Sequence, residues 1–150
     1  MTAPDWGDPV IAHPGLLDGL PERTIQISAD VRAFDAQQAL AQTREVLDPA
    51  YWLDLDVDPR WIVIGDSGQG DQWLLGPRGD VWFFDHSQGE RSVAGFEPMH
   101  LSVTEWLIAS HVLSRFERAD AEDGFAEERA VAALEAISPE LSERWPYALG

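Results

Sequence analysis

The chain of 150 residues carries seven Trp, six Phe and no Cys, so it can build a substantial core while disulfides and cysteine-based zinc sites are excluded. Its formal net charge is −17, and all ten basic residues are Arg. Such a charge repels nucleic-acid phosphate and anionic lipid, disfavours direct binding to either and favours a basic partner, while aiding solubility on its own account.

The length fits one domain over 1–150, in three parts: an irregular N-terminal arm over 1–33, a recognisable core over 61–116 and a C-terminal helical extension over 120–150. Met1 to Asp5 form no basic leader region, no apolar leader segment follows, and no apolar run reaches membrane-spanning length. With the absence of Cys, this points to a soluble, cytoplasmic protein. Pro4, Pro9, Pro14 and Pro21, with Gly7, Gly15 and Gly19, break up the arm and leave room for one short strand over 24–27. Asp35 opens a helix over 35–47, with its side chain as cap, Gln38 as the second half of a capping-box-like pair and Phe34 at the staple position. Ala36, Ala39, Leu40, Val46 and Leu47 form its inward stripe, and Pro49 ends it. Residues 51–60 alternate with a period of two. Leu53, Leu55 and Val57 face one side and Asp54, Asp56 and Asp58 the other, the pattern of a half-buried edge strand.

Residues 61–64, 72–75 and 81–84 are short aromatic and β-branched runs separated by turns bearing Gly and Asp, which reads as an antiparallel meander. Residues 91–96 add a further strand. Ser102 and Glu105 form a capping box that opens a long helix to about residue 118, with Val103, Trp106, Leu107, Leu113 and Phe116 on its apolar face. A polar link over 120–124 leads to a helix over 126–137, and Ser138 and Pro139 read as N-cap and first residue of a short last helix. Strands in the middle and helices at the ends predict an α+β fold, a central antiparallel meander sheet flanked by helices.

Several short motifs imitate chemical sites. Gly65-Asp66-Ser67-Gly68 copies the stretch around the nucleophile of chymotrypsin-like proteases, but only His13 precedes Ser67, and it lies in the proline-rich arm. A tight turn explains these residues better, with at least one Gly at positive φ and Asp and Ser capping the backbone. A phosphate-cradling loop needs a Lys after its glycines, and the chain has none. Asp54, Asp56 and Asp58 imitate the opening of a calcium loop, but Pro59 and Gly65 stand where Gly and Glu are required. His86, His100 and His111 share no metal-ligand spacing. His86 reads as a turn residue, and His111 as a packing residue at the border of a helical apolar face. Trp61, Trp73, Trp82 and Trp106 read as core, with Trp52 and Trp82 the less covered members of the set. No catalytic group, cofactor site or metal site is expected.

The ordered set 61–116 resembles the SUKH superfamily of Smi/Knr-like domains. The resemblance is carried by Ile64-Gly65-Asp66-Ser67-Gly68-Gln69-Gly70-Asp71 after a hydrophobic strand, by the strand over 72–75 and by the turn ending in Gly79 and Asp80. It continues through Val81-Trp82-Phe83-Phe84-Asp85-His86 and the helix start over 101–107. Upstream the pattern departs: Leu20-Pro21 lacks the Asn-Gly-Gly loop expected after it, and the last thirty residues fall outside the pattern. The resemblance implies a non-enzymatic α+β domain. In its bacterial immunity-protein form it implies neutralisation of a cognate polymorphic toxin, a nuclease or nucleic-acid deaminase, by direct binding. The other implied role is a scaffold or ligand-binding regulatory domain acting on an endogenous partner. For a basic toxin the expected contacts are acids on the edge strand and at strand ends: Asp54, Asp56, Asp58, Asp66, Asp71, Asp80 and Asp85.

Overall fold

A computed structural model describes residues 19–48, 50, 52, 61–88, 91–119 and 126–147. In chain order these form β1 (Ile25–Ser28), β2 (Val31–Ala33), α1 (Ala36–Val46), β3 (Ile62–Asp66), β4 (Gln72–Leu75), β5 (Val81–Phe84), β6 (Phe96–Pro98), α2 (Val103–Ala119), α3 (Ala126–Ile137) and α4 (Leu141–Arg144). The strands make one sheet in the order β1-β2-β3-β4-β5-β6, each antiparallel to the next. The architecture is α+β with a central meander, as the order of elements predicts.

The sheet is covered on both faces because its strands carry aromatic residues on both. Trp73 and Phe83 are cross-strand partners, and so are Leu74 and Trp82. Successive side chains alternate in direction, so the first pair and the second stand on opposite faces. On the first face the Trp73 ring meets Phe83, Trp106, Trp145 and Tyr147, with centroid separations of 4.8, 5.8, 5.1 and 6.3 Å. On the second, Phe84 and Phe96 pack with Trp52, and Trp61 packs with Trp82 and Phe96. Burying one large apolar side chain contributes about 1.5–3 kcal/mol, so these clusters outweigh any single cap or turn in holding the layers together.

Local signals place the helices. Ser102 and Glu105 cap α2 reciprocally: the Glu105 N–H donates to Ser102 Oγ at 3.1 Å, and the Ser102 N–H donates to Glu105 Oε1 at 3.0 Å. Asp35 caps α1 by accepting from the Gln38 N–H at 2.7 Å. The reciprocal partner is Thr24 rather than the Gln38 side chain, since Thr24 Oγ1 accepts from the Asp35 N–H at 3.1 Å. The cap thereby ties α1 to the segment leading into β1. Thr43 joins α1 to the sheet, its hydroxyl accepting from the Val63 N–H at 2.9 Å.

Several expectations are corrected. The segment over 1–33 is not wholly irregular beyond one strand: β1 and β2 form a hairpin that joins the sheet, with Arg32 opposite Asp66 and Ala33 opposite Gly65. The strand expected over 91–96 begins only at Phe96, because Ser92 Oγ accepts from the Ala94 N–H and winds Val93–Gly95 into a 3-10 turn. The last helix starts at Leu141 with Glu140 as its N-cap at φ 65°, and not at Ser138 and Pro139. Ser138 Oγ instead accepts from Arg144 Nη2, while Arg144 Nε donates to the Met99 carbonyl, so one guanidinium fastens α4 to the end of β6. His111 is exposed rather than a packing residue. Trp52, expected among the less covered Trp residues, is 6% exposed and donates from Nε1 to the Val46 carbonyl at 2.9 Å; Trp82 is half-buried. Leu134, Leu141 and Trp145, from the C-terminal helical segment, belong to the buried core.

Candidate functional site

The β3–β4 turn reverses the chain in three residues. Gly68 and Gly70 adopt φ of 79° and 106°, and the Ser67 N–H donates to the Asp71 carbonyl at 3.2 Å. This is the tight turn expected of these glycines. Gly65 has a different reason to be glycine. It lies within β3, where a Cβ would stand 2.7 Å from the Arg32 carbonyl oxygen and 2.9 Å from the Trp106 ring. The missing side chain lets α2 seat its Trp on the strand.

Ser67 is 4% exposed, and its hydroxyl is engaged within the turn. Ser67 Oγ accepts from the Gln69 N–H at 3.1 Å and donates toward Asp71 Oδ2 at 3.4 Å. No imidazole among the described residues hydrogen-bonds to it, so the nucleophile–base contact of a serine hydrolase is missing there. His13 lies outside the described residues.

Asp71 is the hub of this end of the sheet. The β4–β5 register pairs Gln72 with Phe84, which brings the residue before β4 alongside those that follow β5. Asp71 Oδ1 accepts from the His86 N–H at 3.1 Å and faces His86 Nδ1 at 2.5 Å. Asp71 Oδ2 accepts from the Tyr147 hydroxyl at 2.8 Å. The carboxylate is thus buried with hydrogen-bond partners on both oxygens, the condition under which a charge is tolerated in an interior. The His86 imidazole is about half exposed and lies against Gly70, where a Cβ would come within 3.1 Å of the ring. Next to it, Asp85 Oδ1 accepts from the Ser87 N–H at 2.9 Å and from the Ser87 hydroxyl at 2.6 Å. Ligand-capable atoms of Asp71, Asp85 and His86 all lie within 4.8 Å of one another.

The electrostatics of this corner are negative. Asp30, in the β1–β2 turn, has its carboxyl pushed up by burial first and by the charge of Asp71 second. Among the described residues no side chain donates to the Asp30 carboxylate. The Tyr147 hydroxyl is likewise pushed up, by burial above all, with Asp71 and Asp30 acting in the same direction and the Ser67 hydroxyl opposing. Burial and like charges nearby both disfavour a further negative charge, and together they account for both directions.

Among the described residues, the expected contact acids take different places in the fold. Asp54, Asp56 and Asp58 lie outside the described residues. Asp66 faces inward to Arg32, which donates to both of its oxygens, from Nε at 2.9 Å and from Nη2. Asp71 is buried in the hub. Asp80 is half-buried in the β4–β5 turn, at the opposite end of the hairpin from half-buried Asp85. Among the described residues, the exposed carboxylates of the helices and their flanks are glutamates, including Glu45, Glu117, Glu127, Glu128, Glu135, Glu140 and Glu143. Asp30 and Tyr147, both part of the polar corner, went unmarked in the sequence. Equal strand lengths over 72–75 and 81–84 did carry a signal for the rest, because pairing 72 with 84 sets Asp71 beside Asp85 and His86. Comparison with protein-family models, with curated proteins and with solved structures found no match to this chain.

Proposed function

We propose that this chain is an immunity protein of SUKH type that neutralises a basic toxin domain, a nuclease or nucleic-acid deaminase, by binding it in the cytoplasm. The observation that carries the reading is the charge, −17 over 150 residues with no Lys. An enzyme that holds nucleic-acid phosphate presents a basic site, and an acidic inhibitor associates with it quickly through electrostatic steering. Support comes also from the segments behind the resemblance, which form β3, β4, β5 and the capped start of α2 in one contiguous core. Ser67 supports a non-enzymatic role, since its hydroxyl bonds within its own turn.

Asp66 and Asp71 serve the fold and drop out of the proposed contact set. Asp54, Asp56 and Asp58 remain in it, with Asp80 and Asp85 at the two ends of the β4–β5 hairpin. The test is co-expression with the protein encoded by the adjacent gene. A complex and rescue of the host from that protein's toxicity are expected, and Ser67→Ala leaves both intact. Changing Asp54, Asp56 and Asp58 together to Arg slows association and weakens its salt dependence, because rim charges act mainly on the on-rate. No complex and no rescue would move the assignment to a regulatory scaffold for an endogenous partner.

A further inference from the structure

We propose that the corner formed by Asp71, Asp85 and His86 is a binding site for a divalent first-row metal ion of the zinc class. Three observations lead there. The first is the donor set. Two carboxylates and one imidazole, with ligand-capable atoms within 4.8 Å of one another, come from two chain segments that the β4–β5 register holds side by side. A mixed nitrogen and oxygen set suits Zn2+, Co2+ or Mn2+ better than Ca2+ or Mg2+, which take oxygen ligands.

The second is that the supporting contacts are in place. Metal-bound carboxylates are characteristically held by further hydrogen bonds. Here the Tyr147 and Ser67 hydroxyls hold Asp71 Oδ2, and the Ser87 N–H and hydroxyl hold Asp85 Oδ1. The His86 ring lies in the space that a side chain at Gly70 would need. The third is the surrounding charge. The Asp30 carboxylate sits near Asp71 with no cation or donor from the described residues to offset it. A cation would relieve that repulsion.

Binding has a defined structural requirement. The 2.5 Å between His86 Nδ1 and Asp71 Oδ1 is a hydrogen-bond distance. Two ligands of one tetrahedral ion with bonds of about 2.0–2.2 Å stand roughly 3.3–3.5 Å apart. The metal therefore takes the place of the shared proton, which leaves to solvent, and the pair opens by about 0.8–1.0 Å. His86 is about half exposed, so its ring, and not the buried Asp71, is the partner that moves.

The experiment uses the purified full-length chain, stripped with a chelator and equilibrated with Zn2+ alone, so it does not depend on the toxin reading. Equilibrium dialysis should give one bound ion per chain with a midpoint below about 10 μM, and a hundredfold excess of Ca2+ should not displace it. Co2+ substitution should give a visible absorption band of a low-coordinate site. His86→Ala and Asp85→Asn, both at solvent-reachable positions, should each weaken binding at least tenfold, in the range seen when metal-site groups are removed. His111→Ala, at an exposed position on α2, should bind as wild type. No stoichiometric binding below about 100 μM would overturn the site, as would binding that survives both the His86 and Asp85 changes.

Discussion

At the residue scale, three of the described aspartates act as internal acceptors. Asp35 caps a helix, Asp66 takes a guanidinium and Asp71 gathers a His and a Tyr. Asp30 differs from these three, and it yields a prediction with a defined sign. Its native carboxyl is held above the ordinary carboxylate range, so over that interval the folded chain binds more protons than the unfolded one. Stability then falls as pH rises from the ordinary value to the native one, and the loss persists at neutral pH. Asp30→Asn should therefore raise the melting midpoint at pH 7, with the gain shrinking toward zero as the pH drops below about 4. Thermal unfolding of both proteins across pH 3 to 8 checks this, and a pH-independent difference would contradict it.

At the scale of elements, the joint between α2 and the sheet can be tested through one residue. Trp106 is fully buried, lies over Gly65 and meets Trp73. Trp106→Ala should cost about 3–5 kcal/mol, and at roughly 2–4 °C per kcal/mol for a chain of this size the midpoint should fall by about 6–20 °C. An unchanged midpoint would mean that α2 does not rest on the strand in solution. This joint was legible in advance, because Ser102, Glu105 and the apolar residues after them mark both the start and the buried face of the helix. The central strands were legible for the same reason, each being a short run between turn residues. The β2 strand was not: Val31-Arg32-Ala33 is too short to show a period, and its pairing with β1 and β3, with the Arg32–Asp66 ion pair, makes it a strand. Ser138 and Pro139 misled because they form a good helix start locally, while the guanidinium of Arg144 claims the Ser138 hydroxyl.

At the scale of the whole molecule, acidity is the property the proposed partner meets first. Association with a basic toxin domain should slow about tenfold or more between roughly 50 and 500 mM salt, while dissociation changes little. Stopped-flow mixing at several salt concentrations measures both, and an on-rate indifferent to salt would remove the role assigned to the charge. The polar corner was only partly legible at this scale. Asp71, Asp85 and His86 follow from hairpin register, but Tyr147 arrives from 76 positions away in the chain, after three helices whose packing no local pattern states. The strictly sequential sheet has a further consequence for how the chain is made. Each strand pairs only with the strands next to it in sequence, so the sheet can assemble in the order in which a ribosome delivers it. Its cover comes late, since Trp145 and Tyr147, which close over Trp73 and Phe83, follow every strand of the sheet in the chain. A nascent chain that stalls before them holds a paired sheet with a bare aromatic face, the kind of surface that chaperones retain and that aggregates when they do not.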